Sequence, residues 1–168
     1  MKFESLGAEE KKMIKHVEKN NIFVLETKSF HYVLGIDGEG FNRHIHWGEK
    51  CDVNDYEFEE VHGISSNDPA LNGIKQEITP FGSTMYRECD IKARFEDGCR
   101  EIFLVYKGFE QNGDTLKLHF EDEYYPLGVT LCYEVFEEYD IIKRYVTLTN
   151  TGSDDIVFER IFSAEFTL

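Results

Sequence analysis

Carboxylates are the most plentiful reactive groups in this chain, and their spacing limits any acid/base reading. Of 168 residues, 33 are Asp or Glu, so neighbours such as Glu121-Asp122-Glu123 and Glu137-Glu138 arise from composition alone. A hydrolytic pair needs two carboxyl groups held apart across a cleft with their pKa values driven apart. Runs of adjacent acids in turn-like stretches read as solvated instead. His44 and His46 stand at i, i+2, which puts both on one face of a strand, a spacing that can bind a metal. No third ligand is indicated nearby, so an ordinary sheet face is expected, with no metal and no other cofactor. Cys51, Cys89, Cys99 and Cys132 are widely spaced with no Cys-x-x-Cys pair, which reads as buried free thiols in a reducing cytoplasm. Trp47, the one Trp of the chain, stands at the mouth of an irregular stretch. There an indole could stack on a ligand, although core packing is the commoner fate of a strand-end Trp.

The elements that must carry these residues are strands. Leu131 to Phe136 and Ile141 to Asn150 are two β-type runs joined tightly, and Asn150-Thr151-Gly152-Ser153-Asp154-Asp155 turns the chain into a third, Ile156 to Phe162. Upstream, Ile22-Phe23-Val24-Leu25-Glu26-Thr27 and Phe30 to Ile36 lead into the turn Asp37-Gly38-Glu39-Gly40, and Phe41 to Trp47 returns. Further runs follow from Lys75 to Thr79, from Met85 to Phe95, from Glu101 to Phe109 and from Thr115 to Phe120. Roughly ten to twelve strands and no helical period after residue 20 predict an all-β, antiparallel two-sheet sandwich. Residues 1–19 are set apart as an N-terminal arm, and residues 20–168 as the β domain. Within the arm, Ala8 to His16 admits about two helical turns, a frayed arm or a short first strand. From Glu49 to Lys75 the rhythm breaks into Gly, Asn, Asp and Ser, and this loop is expected to project from the sandwich as its most mobile internal segment.

Composition narrows the partners. With 18 basic residues against 33 acidic ones the net charge is −15, which argues against nucleic acid and anionic membranes, since both are bound by clustered Lys and Arg. No apolar run approaches the ~20 residues that cross a bilayer. The start, MKFESLGAEEKK, lacks the apolar core of a secretory signal. A cytoplasmic location is expected.

Three segments then carry a resemblance. Gly40-Phe41-Asn42-Arg43-His44-Ile45-His46-Trp47-Gly48 is similar to the "G…H.YWG" strand of the N-terminal domain of family 36 glycoside hydrolases, the α-galactosidase (melibiase) group. Gln76-Glu77-Ile78-Thr79-Pro80-Phe81-Gly82-Ser83-Thr84-Met85-Tyr86-Arg87 resembles that family's "QEYP.YG..DFR". Leu131-Cys132-Tyr133 and Tyr139-Asp140-Ile141-Ile142-Lys143-Arg144, continuing through Asn150-Thr151-Gly152 to Ser163, complete the set. The family's Asp in "DFR" falls on Met85, so no role of that carboxylate carries over.

The resemblance implies a galactose mutarotase-like supersandwich that precedes a (β/α)₈ barrel, which holds two Asp for retaining hydrolysis of α-galactosides. On that basis the chain is a non-catalytic N-terminal domain, with no catalytic residue of its own. Its partners are its own C-terminal barrel, neighbouring subunits of a homo-oligomer and α-galactoside sugars. Loops of this domain can help close a neighbour's active site in that family, so Trp47, Asp52 and Asp55 are expected at the sugar. No Arg lies between Arg43 and Arg87, which leaves carboxylates, amides, Lys or His for polar contacts there. Two other readings stand beside it. A free-standing carbohydrate-binding module would need exposed aromatics on one face, for which Tyr124, Tyr125 and Trp47 are the candidates. A small mutarotase-like epimerase would need a His base, from His44, His46 or His119, and an acidic partner.

Overall fold

The computed structural model describes residues 12–58, 75–82 and 88–164. Among them ten strands form and no helix reaches seven residues. Strands β1 (Ile14–Val17), β2 (Ile22–Glu26), β3 (Phe30–Ile36) and β4 (Asn42–Glu49) pair antiparallel in chain order as one sheet. Strand β5 (Ile91–Arg94) pairs with β10 (Val157–Ile161) as a two-stranded ribbon. Strands β6 (Leu104–Asn112), β7 (Thr115–Asp122), β8 (Leu127–Phe136) and β9 (Ile141–Asn150) form the second antiparallel sheet, again in chain order. Alternate residues of both sheets meet in one core, with Phe23, Leu25 and Leu34 from the first packed with Leu116, Leu118, Leu131 and Tyr133 from the second. The fold is an all-β sandwich, as the period-2 runs predict.

Up to its last residue, Glu26, strand β2 has no polar face, and the structure gives the reason. Phe23 and Leu25 enter the main core, while Ile22 and Val24 pack on the opposite face against Val33 and Tyr56. A strand buried on both sides reads as a continuous apolar run. Of residues 1–19, residues 12–19 are described. Ile14–Val17 form β1, with Met13 and Ile14 buried, and a 3₁₀ turn, Glu18–Asn20, follows. Two hairpins share one device: a single 3₁₀ turn closed by a left-handed residue, Asn21 (φ 51°) after Glu18–Asn20 and Asp140 (φ 52°) after Glu137–Tyr139. Asn and Asp tolerate that region better than any other side chain.

Three expectations are corrected. His44 and His46 do not share a face. Val33 stands opposite His46 but Leu34 opposite His44, so Ile45 is the extra residue of a β-bulge, and the side-chain alternation resets there. His44 turns toward Tyr32 and His46 toward Tyr56. Cys51 is exposed although Cys89 and Cys132 are buried and Cys99 half-buried; all four are unbridged, and Cys51 follows the end of β4, beyond the sheet. Asp122 is buried, not solvated, because its carboxylate accepts the backbone N–H groups of Phe103, Tyr124 and Tyr125 at 2.6–2.9 Å. Residues 59–74 of the expected projecting loop, and Met85, lie outside the described residues.

Leu131 is fully buried at the centre of β8, so Leu131→Ala should cost about 2–5 kcal/mol through lost burial and a residual cavity. Urea titration should show a lowered midpoint with an unchanged m-value.

Candidate functional site

The site grows from a short segment laid against β4. The N–H of His44 donates to the carbonyl of Lys75 at 2.7 Å, the N–H of Glu77 to the carbonyl of Asn42 at 3.3 Å, and the N–H of Ile78 to Asn42 Oδ1 at 2.8 Å. Gln76 pairs with Arg43 as an isolated antiparallel bridge. Alternation then sends Glu77 inward. Pro80 suits this position, since it cannot continue a ladder as donor. Gly82 completes the turn at φ 89°, where an added Cβ would lie 2.9 Å from Glu101 Cα.

Glu77 is 1% exposed, and donors from four strands surround its carboxylate. The Tyr32 hydroxyl of β3 lies 2.9 Å from both oxygens. His44 Nδ1 of β4 donates to Oε1 at 2.8 Å, and the Tyr133 hydroxyl of β8 to Oε2 at 2.5 Å. From β9, Arg144 sets Nη1 3.4 Å from Oε2 and donates through Nη2 to the backbone carbonyl of the same Glu77. Burial alone would push the Glu77 carboxyl up, but the Arg144 guanidinium, His44 and Tyr133 outweigh it and hold it below the usual range. Burial and the neighbouring carboxylate together push the Tyr32 and Tyr133 hydroxyls upward, so both act as donors at neutral pH.

Over this cluster opens a cavity of about 360 Å³, the size of small-ligand pockets. Tyr32, Tyr133 and Arg144 reach its lining, with Phe30, Trp47, Asp140 and Ile141 as further walls and Ser163 and Ala164 at one side. It lies on the open side of the sandwich, between β4 of one sheet and the outermost strand β9 of the other. Trp47 is 56% exposed and packs edge-on to Tyr32 at 6.0 Å, so it is a cavity wall and not a core residue. Asp140 is held by the N–H of Ser29 at 2.7 Å.

Asp52 and Asp55 do not line this cavity. Both are exposed on a strap, residues 51–58, that leaves β4 and crosses to the outer face of the first sheet. Asp52 caps the 3₁₀ turn Val53–Asp55 by accepting from the backbone N–H of Asn54 at 2.9 Å and from its amide at 2.8 Å. Those bonds pull its carboxyl below the usual range. The structure therefore separates Trp47 from the two Asp by the thickness of the sheet edge. Sequence reasoning passed over Glu77, Tyr32, Tyr133 and Arg144 as site residues. A signal existed: Glu77, Tyr133 and Arg144 all lie in the segments that carry the family resemblance.

Replacing Glu77 by Gln leaves the Arg144 guanidinium without this counter-charge inside the protein, which should cost about 3–5 kcal/mol. The pH dependence follows from the sign of the shift. A carboxyl held below its ordinary value near 4.5 stabilises the fold above that value, and the contribution fades as pH falls through it. Glu26, set at about 2 because Lys15 and Lys50 outweigh its burial, acts in the same direction. Melting temperatures should therefore fall between about pH 5 and pH 3, less steeply in Glu77→Gln, and a thermal melt at each pH measures both.

The chain is 29% identical over 171 residues to the bifunctional α-galactosidase/sucrose kinase AgaSK of Mediterraneibacter gnavus, covering 85% of this chain and 18% of that protein. It is 25% identical over 173 residues to the α-galactosidase AgaA of Geobacillus stearothermophilus, covering 82% and 24%. The galactosidase domain of AgaSK superposes with a TM-score of 0.75 at 26% identity, over 90% of this chain and 25% of that one. The family 36 α-galactosidase AgaB of G. stearothermophilus does so at 0.78 and 23% identity, over 89% and 24%, a likeness of fold. The chain thus spans about a quarter or less of the relatives it matches. Residues 40–168 match the family model described as the glycosyl hydrolase family 36 N-terminal domain, and the chain belongs to that family.

Proposed function

We propose that the chain is the non-catalytic N-terminal domain of an α-galactosidase-type retaining glycoside hydrolase. It serves domain packing and oligomerisation, and it lends rim contacts to the sugar site through Trp47, Asp52 and Asp55. The carrying observation is the state of Glu77. The carboxylate set beneath the cavity is 1% exposed and closed by Tyr32, Tyr133, His44 and Arg144. A general acid or nucleophile must reach its substrate, so this carboxylate holds structure together and does not itself act in hydrolysis.

Around the cavity the exposed side chains are largely apolar. Trp47 and Ile141 line it, and Ile161 and Phe162 lie exposed just before Ser163. Apolar surface of this kind suits contact with another domain or subunit. The cytoplasmic location expected from the sequence is kept as part of this reading; among the described residues, no helix is long and apolar enough to cross a membrane.

The alternatives find less support. For a carbohydrate-binding module, Tyr125 is stacked on Phe95 at 3.8 Å and lines a different hollow from Trp47, so the aromatics do not form one platform. For an epimerase, the acidic partner of His44 is the sealed Glu77, His46 turns to the backbone carbonyl of Glu49, and His119, 3.6 Å from Glu110, does not line the cavity.

The 168-residue chain should show no turnover of a chromogenic α-galactoside once host enzymes are removed. In the enzyme continued by its barrel, Trp47→Ala, Asp52→Ala and Asp55→Ala should each lower kcat/KM about tenfold, with melting temperatures close to the parent's. Unchanged kinetics in all three would remove the sugar-contact role.

A further inference from the structure

The strap that carries Asp52 and Asp55 is fixed by a chain of polar groups unrelated to the Glu77 cluster. Tyr56 enters the apolar cluster of Ile22, Val24 and Val33 on the outer face of the first sheet. Its hydroxyl lies 2.8 Å from His31 Nδ1 and accepts the backbone N–H of Cys51 at 3.3 Å. His31 is buried, and its Nε2 is 3.8 Å from Glu26 Oε2. Glu26 is tied in turn to Lys15 and Lys50, each at 3.0 Å. Two residues beyond Tyr56, Phe58 rests on Gly35, where an added Cβ would lie 2.9 Å from the ring.

Packing alone does not call for this arrangement. A Phe at position 56 would fill the same apolar hollow, and burying an imidazole and a phenol is unfavourable unless each finds a partner. Burial pushes His31 down and the Glu26 carboxylate only partly offsets it, which leaves a neutral ring with one donor and one acceptor. With Nε2–H facing Glu26, Nδ1 accepts from the Tyr56 hydroxyl, whose oxygen takes the Cys51 N–H. The relay fixes direction: it sets both ends of the short arc from Cys51 to Tyr56, and Asp52 and Asp55 lie between those ends.

We propose that His31 and Tyr56 are positioning residues for the rim carboxylates, holding the 51–56 arc in the orientation in which Asp52 and Asp55 meet an α-galactoside. This rests on the reading of those two Asp as sugar contacts. Neither His31 nor Tyr56 touches sugar in this scheme.

Two readouts test it. In the 168-residue chain, Tyr56→Phe and His31→Leu should speed amide hydrogen exchange at Cys51, Asn54 and Asp55 about three- to tenfold, the worth of one buried hydrogen bond. Amides of Ile22–Glu26 should keep their rates. His31→Asn, which restores a side-chain partner near the Nδ1 position, should return exchange toward the parent value. In the enzyme continued by its barrel, Tyr56→Phe should raise KM for a nitrophenyl α-galactoside about three- to tenfold, with kcat within about twofold. Unchanged exchange in both Tyr56→Phe and His31→Leu overturns the anchoring. Faster exchange with unchanged KM, while Asp52→Ala or Asp55→Ala still raises KM, overturns the positioning role and leaves the sugar-contact reading standing. If neither Asp variant raises KM, that reading falls and takes the proposal with it.

Discussion

An ionised carboxylate removed from water is tolerable only where other groups replace its hydration in full, and Glu77 meets that condition through donors drawn from β3, β4, β8 and β9. Because those strands belong to both sheets, the cluster can close only when the sheets stand in one relative setting. Its strength as a source of net stability is modest, since apolar groups of like shape can serve as well in such places. Its strength as a specifier is greater. Slipping β9 by one residue against β8 would carry Arg144 to the opposite face and strand Glu77. The same cluster fixes the rings of Tyr32 and Tyr133, which become the cavity's wall, and Trp47 leans on Tyr32 from the neighbouring strand.

The strands were legible because side-chain alternation is a local property. Ile141 to Asn150 reads as a strand from its residues alone, and so does the apolar run of β2. What each face packs against is not local. Nothing in Ile22-Phe23-Val24-Leu25 says that Tyr56 and Phe58 will cover one side. The bulge at Ile45 is a sharper case. Strict alternation assigns His44 and His46 to one face, and no residue in His44-Ile45-His46 announces the extra residue that separates them. The bulge also serves the cluster: with His44 opposite Leu34 and turned inward, its Nδ1 reaches Glu77.

The candidate site was legible in pieces. Each of the three segments that carry the family resemblance supplies part of it: His44 and Trp47 from the first, Glu77 from the second, Tyr133, Asp140 and Arg144 from the third. Their order along the chain was visible, but their meeting depends on contacts 33 to 67 residues apart. Asp122 shows the complementary failure. Within Glu121-Asp122-Glu123 it looks like one more solvated acid, yet three backbone N–H groups claim it. A short run of like residues does not reveal which member finds partners.

The geometry also restricts how Trp47, Asp52 and Asp55 could act together. Trp47 pairs with Tyr32 on β3 and belongs to the cavity side of the first sheet. The strap bearing Asp52 and Asp55 crosses to the other side, where Val53, Tyr56 and Phe58 pack on β2 and β3. An indole on one side and carboxylates carried from the other can serve one ligand only around the end of β4, where the chain passes between them at Glu49 to Cys51. A sugar deep in the cavity would meet Trp47, Phe30 and Ile141 but neither Asp. The joint-contact reading thus requires the sugar to straddle the strand end, which is a rim and not a pocket.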